Sequence, residues 1–200
     1  MSKTRLEAFS DGVMAILITI MVLELKSPAG AGLHALLETL PELAIYALSF
    51  VILGIYWSNH HHMLQATERV SGSVLWANLH LLFWLSLVPF VTRWLGETGV
   101  GQLPTAIYGC VLLLAAIAYS ILFRALLACQ PPNSTLAAAV GNDFKGNVSV
   151  VFYVAAIPLT FVNRWIAIAL FVGVALMWLI PDRRIESRLS EVQGSPAADD

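Results

Sequence analysis

The chain has 200 residues, 58% of them hydrophobic and 12% charged, and its mean hydropathy is +0.76. A soluble domain carries about 25% charged residues, so the composition excludes an ordinary soluble domain and points to an integral membrane protein of one helical bundle. The net charge of −2, without a basic tract, Gly-rich phosphate loop or nucleotide motif, gives no support to nucleic-acid or nucleotide binding.

Apolar runs predict helices over about 5–27, 37–63, 74–95, 103–128, 147–163 and 165–181, judged against the roughly 20 apolar residues that a span needs. The first opens on an ionisable cluster, Arg5, Glu7 and Phe9-Ser10-Asp11-Gly12, that runs straight into VMAILITIMVLEL. A carboxylate at the mouth of a lipid-buried helix is costly unless something pairs with it. Lys3, Arg5 and the later Ala29-Gly30-Ala31 resemble parts of a signal peptide, but Glu7 and Asp11 sit where such a leader is basic, so the segment reads as a retained span. Arg5 and Asp11 are six residues apart, about 240° around a helix, and cannot pair on one face. Each needs a partner on another helix, and the histidines of the second helix and Asn78 are the available groups.

Further along the first helix, Ile16, Ile20 and Leu23 follow i, i+4, i+7 spacing and line one face, with Thr19 beside them. Two readings fit that face. It packs against other spans, or it lines a pore whose branched side chains gate by dewetting. Glu24 near the outer end either draws cations to an outer mouth or is an interfacial residue paired with Lys26.

The second helix ends in Ser58-Asn59-His60-His61-His62. Consecutive helical residues splay by about 100°, so the three histidines cannot face one ion, and no metal site is expected. Asn59 and His62, three apart, are placed toward the bundle and His61 toward lipid headgroups. The third helix opens with Trp76, Asn78 and His80, and Trp76, His80 and Trp84 form a stripe, with Trp84 read as packing. Cys110 and Cys129 lie about 28 Å apart on one helix and cannot bridge within the chain. The last two segments, joined by Asn163-Arg164, are either two thin spans or a hairpin re-entering one side. Pro181 ends the last helix. Residues 1–181 are therefore expected to form a single six-span domain, and 182–200 a tail whose end, GSPAADD, is disordered.

With the N-terminus inside, eight of the eleven Lys and Arg residues lie on the inner side and Lys26, Arg93 and Arg164 on the outer. The positive-inside rule then places both termini in the cytoplasm. This topology sets Arg5 to Asp11 at the same depth as Ser58 to His62 and Trp76 to His80, so three polar clusters should meet in the inner leaflet. There is no nucleophile arrangement of the Ser/His/Asp or Cys/His kind, and no enzyme is expected.

Arg5 followed by Phe9-Ser10-Asp11-Gly12 on a first membrane helix resembles the R-x-x-x-F-S-D signature of the transmembrane protein 175 family, potassium channels of endolysosomes and of prokaryotes. The histidine-bearing end of the second helix, the Trp76-x-Asn78 pair and the six-span length agree, and the resemblance covers most of residues 3–95 by motif. It implies an all-α, six-span subunit of a homotetramer in a prokaryotic cell membrane. The first helices line a pore for potassium and other monovalent cations, with no cofactor. By position it sets the hydrophobic constriction at Ile16, with Ile20 and Leu23 as further narrow layers, and a selectivity position at Thr19. Arg5, Ser10, Asp11, His62, Trp76 and Asn78 match the polar network that holds the pore helix. No TVGYG-like filter loop is present in the sequence, which agrees with a pore that prefers potassium only in degree. The competing expectation is a proton-linked secondary transporter with Asp11 and His60–His62 as a relay. A metal-dependent membrane enzyme built on the three histidines and a purely structural membrane protein rank below it.

Overall fold

The computed structural model describes residues 2–131 and 144–179. All the regular structure among them is helical: α1 (Lys3–Leu23), α2 (Leu33–Gln65), α3 (Gly72–Ser86), α4 (Val88–Glu97), α5 (Gln102–Cys129), α6 (Phe144–Val162) and α7 (Arg164–Leu179). The helices α1, α2, α5 and α6, and α3 with α4 taken as one 26-residue stretch, are each long and apolar enough to cross a membrane. With 16 residues, α7 is a shorter apolar helix. The expected tail, 182–200, lies outside the described residues.

The segment expected as one helix over 74–95 is two. Pro89, in the first turn of α4, has no N–H to continue the ladder. The chain turns at Leu87, whose amide bonds back to the Trp84 carbonyl at 3.2 Å. The polar side chains of α3 and those of α4 thus belong to one span but to two rigid pieces. The 33 residues of α2 correspond to about 50 Å, well beyond the roughly 30 Å hydrocarbon core. Near its start Leu33, Leu36, Leu37 and Leu40 are exposed.

The last two segments pack on each other and on α5. The indole N–H of Trp178 donates to Ser149 Oγ at 2.8 Å, so α6 and α7 form an antiparallel hairpin. At its closed end Gln102 Nε2, at the start of α5, donates to the Phe161 carbonyl at 3.5 Å. At its open end Gly146 and Trp178 share a cavity with Tyr119 and Ser120 of α5. The hairpin therefore runs along most of the height of α5.

That helix is the hub. It packs on α3, α4, α6 and α7, and Tyr108, Leu112, Leu122 and Leu126 are buried along it. A Cβ at Gly109 would stand 3.0 Å from Phe171 Cζ and 3.2 Å from Ile157 Cγ1, so glycine lets α5 and the hairpin approach without pushing those side chains back. A buried hydroxyl chain ties α2, α4 and α5 together. Thr92 Oγ1 donates to Ser49 Oγ at 2.8 Å, and Ser49 bonds the Tyr108 hydroxyl at 2.8 Å. In a membrane each such bond contributes about 0.6 kcal/mol on average.

Candidate functional site

The helix α1 has two unlike faces. Leu6, Ser10, Met14, Leu17 and Met21 are buried against the rest of the subunit. The opposite side carries Ile16 at 56% exposure, Ile20 at 39% and Leu23 at 79%, with Gly12, Ala15 and Thr19 also exposed. The buried residues recur at helical spacing against α2, α3 and α4. The packing that α1 offers its own subunit is therefore used up on the side away from Ile16.

The buried face is fixed by polar bonds near the start of α1. Asn78 Nδ2 on α3 donates to Ser10 Oγ at 2.9 Å, and Asn78 Oδ1 meets His60 Nε2 of α2 at 2.7 Å. Since that amide oxygen only accepts, His60 donates through Nε2–H, and its Nδ1 is left as an acceptor. It is buried and without a partner among the described residues. All three residues are at most 1% exposed, so one amide side chain bridges three helices with both its ends used. Beside it the indole N–H of Trp57 donates to Asp11 Oδ1 at 3.0 Å. Glu7 pairs with Lys3 one turn earlier, at 3.8 Å, and Lys3 Nζ also reaches the Gln65 carbonyl at 3.0 Å.

Of the residues expected in this network, Ser10 and Asn78 are brought together, and Asp11 is tied to α2 alongside them. The histidine present is His60, not His62, which is half-buried with its ring against His61. Trp76 is 76% exposed. It lies two residues before Asn78, about 200° around α3, so placing Asn78 inward turns Trp76 outward. Arg5 is exposed as well, and among the described residues neither it nor Trp76 makes a side-chain hydrogen bond or ion pair within the subunit. Asn59 spends its amide on its own helix, donating to the Ile55 carbonyl at 2.8 Å. His61 is exposed and stacks on Trp57. Trp57 is the participant that sequence reasoning missed. Its signal was an indole donor three residues before His60 and thus on the same side of α2, close to a carboxylate without an assigned partner.

At the other end of α1, Glu24 pairs with Arg93 of α4 and not with Lys26, which instead meets Glu97 at 2.7 Å. The expected pairing of Glu24 with Lys26 is thereby corrected. Its carboxylate is paired across the α1–α4 interface and remains part-exposed. Thr19 Oγ1 donates to the Ile16 carbonyl at 2.9 Å, which consumes its proton and leaves the oxygen lone pairs on the outward side. Among the described residues no group of three or more His, Cys, Asp or Glu is arranged to hold a metal ion.

Several long apolar helices around a central α5, with α1 fastened by polar bonds on one side and unpartnered on the other, define a multi-pass helical membrane protein. Residues 5–89 match the family described as the endosomal/lysosomal potassium channel TMEM175. A potassium channel of Chryseobacterium sp. is 52% identical over 191 residues, covering 96% of this chain and 100% of that protein. The fold matches the crystal structure of a lysosomal potassium-selective channel TMEM175 homologue from Chamaesiphon minutus, with a TM-score of 0.78 and 26% identity over 91% of this chain and 97% of that one. The human endosomal/lysosomal proton channel TMEM175 is 34% identical over 86 residues, 35% of this chain and 17% of that protein. The chain belongs to the TMEM175 family.

Proposed function

We propose that the protein is the subunit of a potassium-permeable cation channel that mediates passive potassium transport, with the outward face of α1 lining the pore. The observation that carries the reading is the division of α1. Its inner face is consumed by Ser10–Asn78–His60 and by buried Leu17 and Met21, while Ile16, Thr19, Ile20 and Leu23 share the face left free. Four subunits around one axis turn that face into stacked rings. Ile16, Ile20 and Leu23 form apolar constrictions that exclude a hydrated ion when narrow and conduct when widened. Thr19 supplies oxygen lone pairs between the apolar rings. The bacterial relatives named potassium channels support potassium as the permeant ion. The positive-inside count supports a single six-span channel domain, residues 1–181, with both termini in the cytoplasm and the 182–200 tail beside them. A prokaryotic cell membrane is the proposed location.

The competing transporter reading needs Asp11 to exchange protons with His60–His62. Among the described residues no hydrogen bond joins them: Asp11 is bonded to Trp57 and His60 to Asn78. The channel reading is favoured on that ground. Ile16→Asn places a hydratable side chain in the constriction. In reconstituted vesicles it should raise or deregulate potassium flux and weaken the preference over sodium. Unchanged flux with unchanged ion preference contradicts the pore assignment.

A further inference from the structure

Four alternating charges, Glu24, Arg93, Glu97 and Lys26, form an open chain of three ion pairs at the C-terminal end of α1. Arg93 of α4 bonds Glu24 through Nη1 and reaches Glu97 through Nε at 3.1 Å. Glu97 in turn holds Lys26 at 2.7 Å. Glu24 and Lys26 both sit at the end of the pore helix, so the contacts leave α1, cross to α4 and return two residues later, with a net charge of zero. Residues 26–34 are exposed. Among the described residues these ion pairs are the only side-chain hydrogen bonds or ion pairs that join the chain between Met21 and Leu33 to the rest of the subunit.

We infer that Arg93 is a positioning residue of the pore: by holding Glu24 it keeps the outer end of α1 against its own subunit and so keeps the Ile20 and Leu23 rings open. The inference rests on the pore reading above. Its direction follows from where the partners lie. The helix carrying Arg93 packs on α1, on the side where Met21 is buried, while Leu23 at 79% exposure and Ile20 at 39% face the other way. Apolar side chains facing water across an axis gain by meeting. The pull on α1 from Arg93 opposes that collapse. An arginine is suited to the task because its planar fork engages two carboxylates at once, whereas a lysine at the same place offers a single point charge.

The test uses the full-length protein in planar bilayers, with potassium as the ion. Arg93→Gln and Glu24→Gln should each lower the single-channel potassium conductance by about fivefold, a modest effect as befits exposed ion pairs. Arg93→Lys should lie between these and the unaltered protein, and the exchange Glu24→Arg with Arg93→Glu should restore conductance. A second readout is independent of current. With Cys110 and Cys129 replaced by alanine, copper-catalysed disulfide formation between Leu23→Cys copies should become severalfold faster when Arg93→Gln is added. If the unaltered protein conducts no potassium, the pore reading itself fails. If it conducts normally but Arg93→Gln leaves both conductance and cross-linking unchanged, or the exchange restores nothing, the positioning role is overturned. Should Arg93→Gln fail to assemble on size exclusion, Glu24→Gln, Arg93→Lys and the exchange decide the matter by the same criteria.

Discussion

The two ends of α1 are fastened to the subunit by different physics. At the N-terminal end the bonds are neutral and buried: Ser10, Asn78 and His60 are all at most 1% exposed, and each donor meets its acceptor at 2.7–2.9 Å. At the C-terminal end the fastening is ionic and half-solvated, with Arg93 at 47%, Glu97 at 31% and Lys26 at 62% side-chain exposure. Buried neutral bonds are specific because breaking one strands the other partner without water. Exposed ion pairs are weaker, screened by salt and cheap to break. A helix held rigidly at one end and loosely at the other pivots about its fixed end. On the proposed pore, that leaves the rings nearest the outer end freest to move.

The largest effect should come from the buried side. Asn78→Leu removes both bonds of the bridge and leaves Ser10 Oγ and His60 Nε2 buried without partners, a loss of about 2–3 kcal/mol. It should lower the thermal midpoint of the detergent-solubilised protein, and an unchanged midpoint would show that the bridge does not hold α1. Trp57→Phe keeps the ring but deletes the N–H that reaches the partly exposed Asp11. A loss of about 0.5–1 kcal/mol is expected in the same assay, and a loss as large as that of Asn78→Leu would erase the distinction between buried and half-exposed bonds. Lys26→Gln, at the free end of the chain of ion pairs, should not measurably shift the midpoint at all. Raising the salt from about 0.1 M to 1 M, which shortens the screening length from about 10 to 3 Å, should likewise leave the Asn78→Leu difference intact.

Much of this arrangement was legible in the sequence, and the misses share one cause. The meeting of three polar clusters at one end of the first three helices follows from counting spans, and Ser10 and Asn78 do meet. The choice of His60 over His62 was not legible. Adjacent helical residues differ by about 100° in phase, and the rotation of α2 is set by its packing rather than by its own pattern. The same rotation decides that Trp57 faces Asp11 and, on α3, that Trp76 turns away once Asn78 turns in. Arg93 was placed on the outer side from charge counting alone, but its partners depend on α4 being a separate piece. That break was signalled by Pro89 and was nonetheless taken as continuous helix. The i, i+4, i+7 face of Ile16, Ile20 and Leu23 was visible from the start. Its use was not, because periodicity alone treats a face that meets lipid and a face that meets a pore identically.

That ambiguity is also what the most direct measurement removes. In a background with Cys110 and Cys129 replaced by alanine, Ile16→Cys and Phe83→Cys place a thiol on two comparably exposed apolar positions, 56% on α1 and 54% on α3. A small cationic thiosulfonate, applied in water to channels in a bilayer, reaches a thiol only where water reaches it. The pore account predicts that Ile16→Cys is modified with a progressive change in potassium current while Phe83→Cys, outside the proposed pore, is not. Equal protection of both positions, with current unaffected, would mean that the free face of α1 meets lipid and would contradict the account.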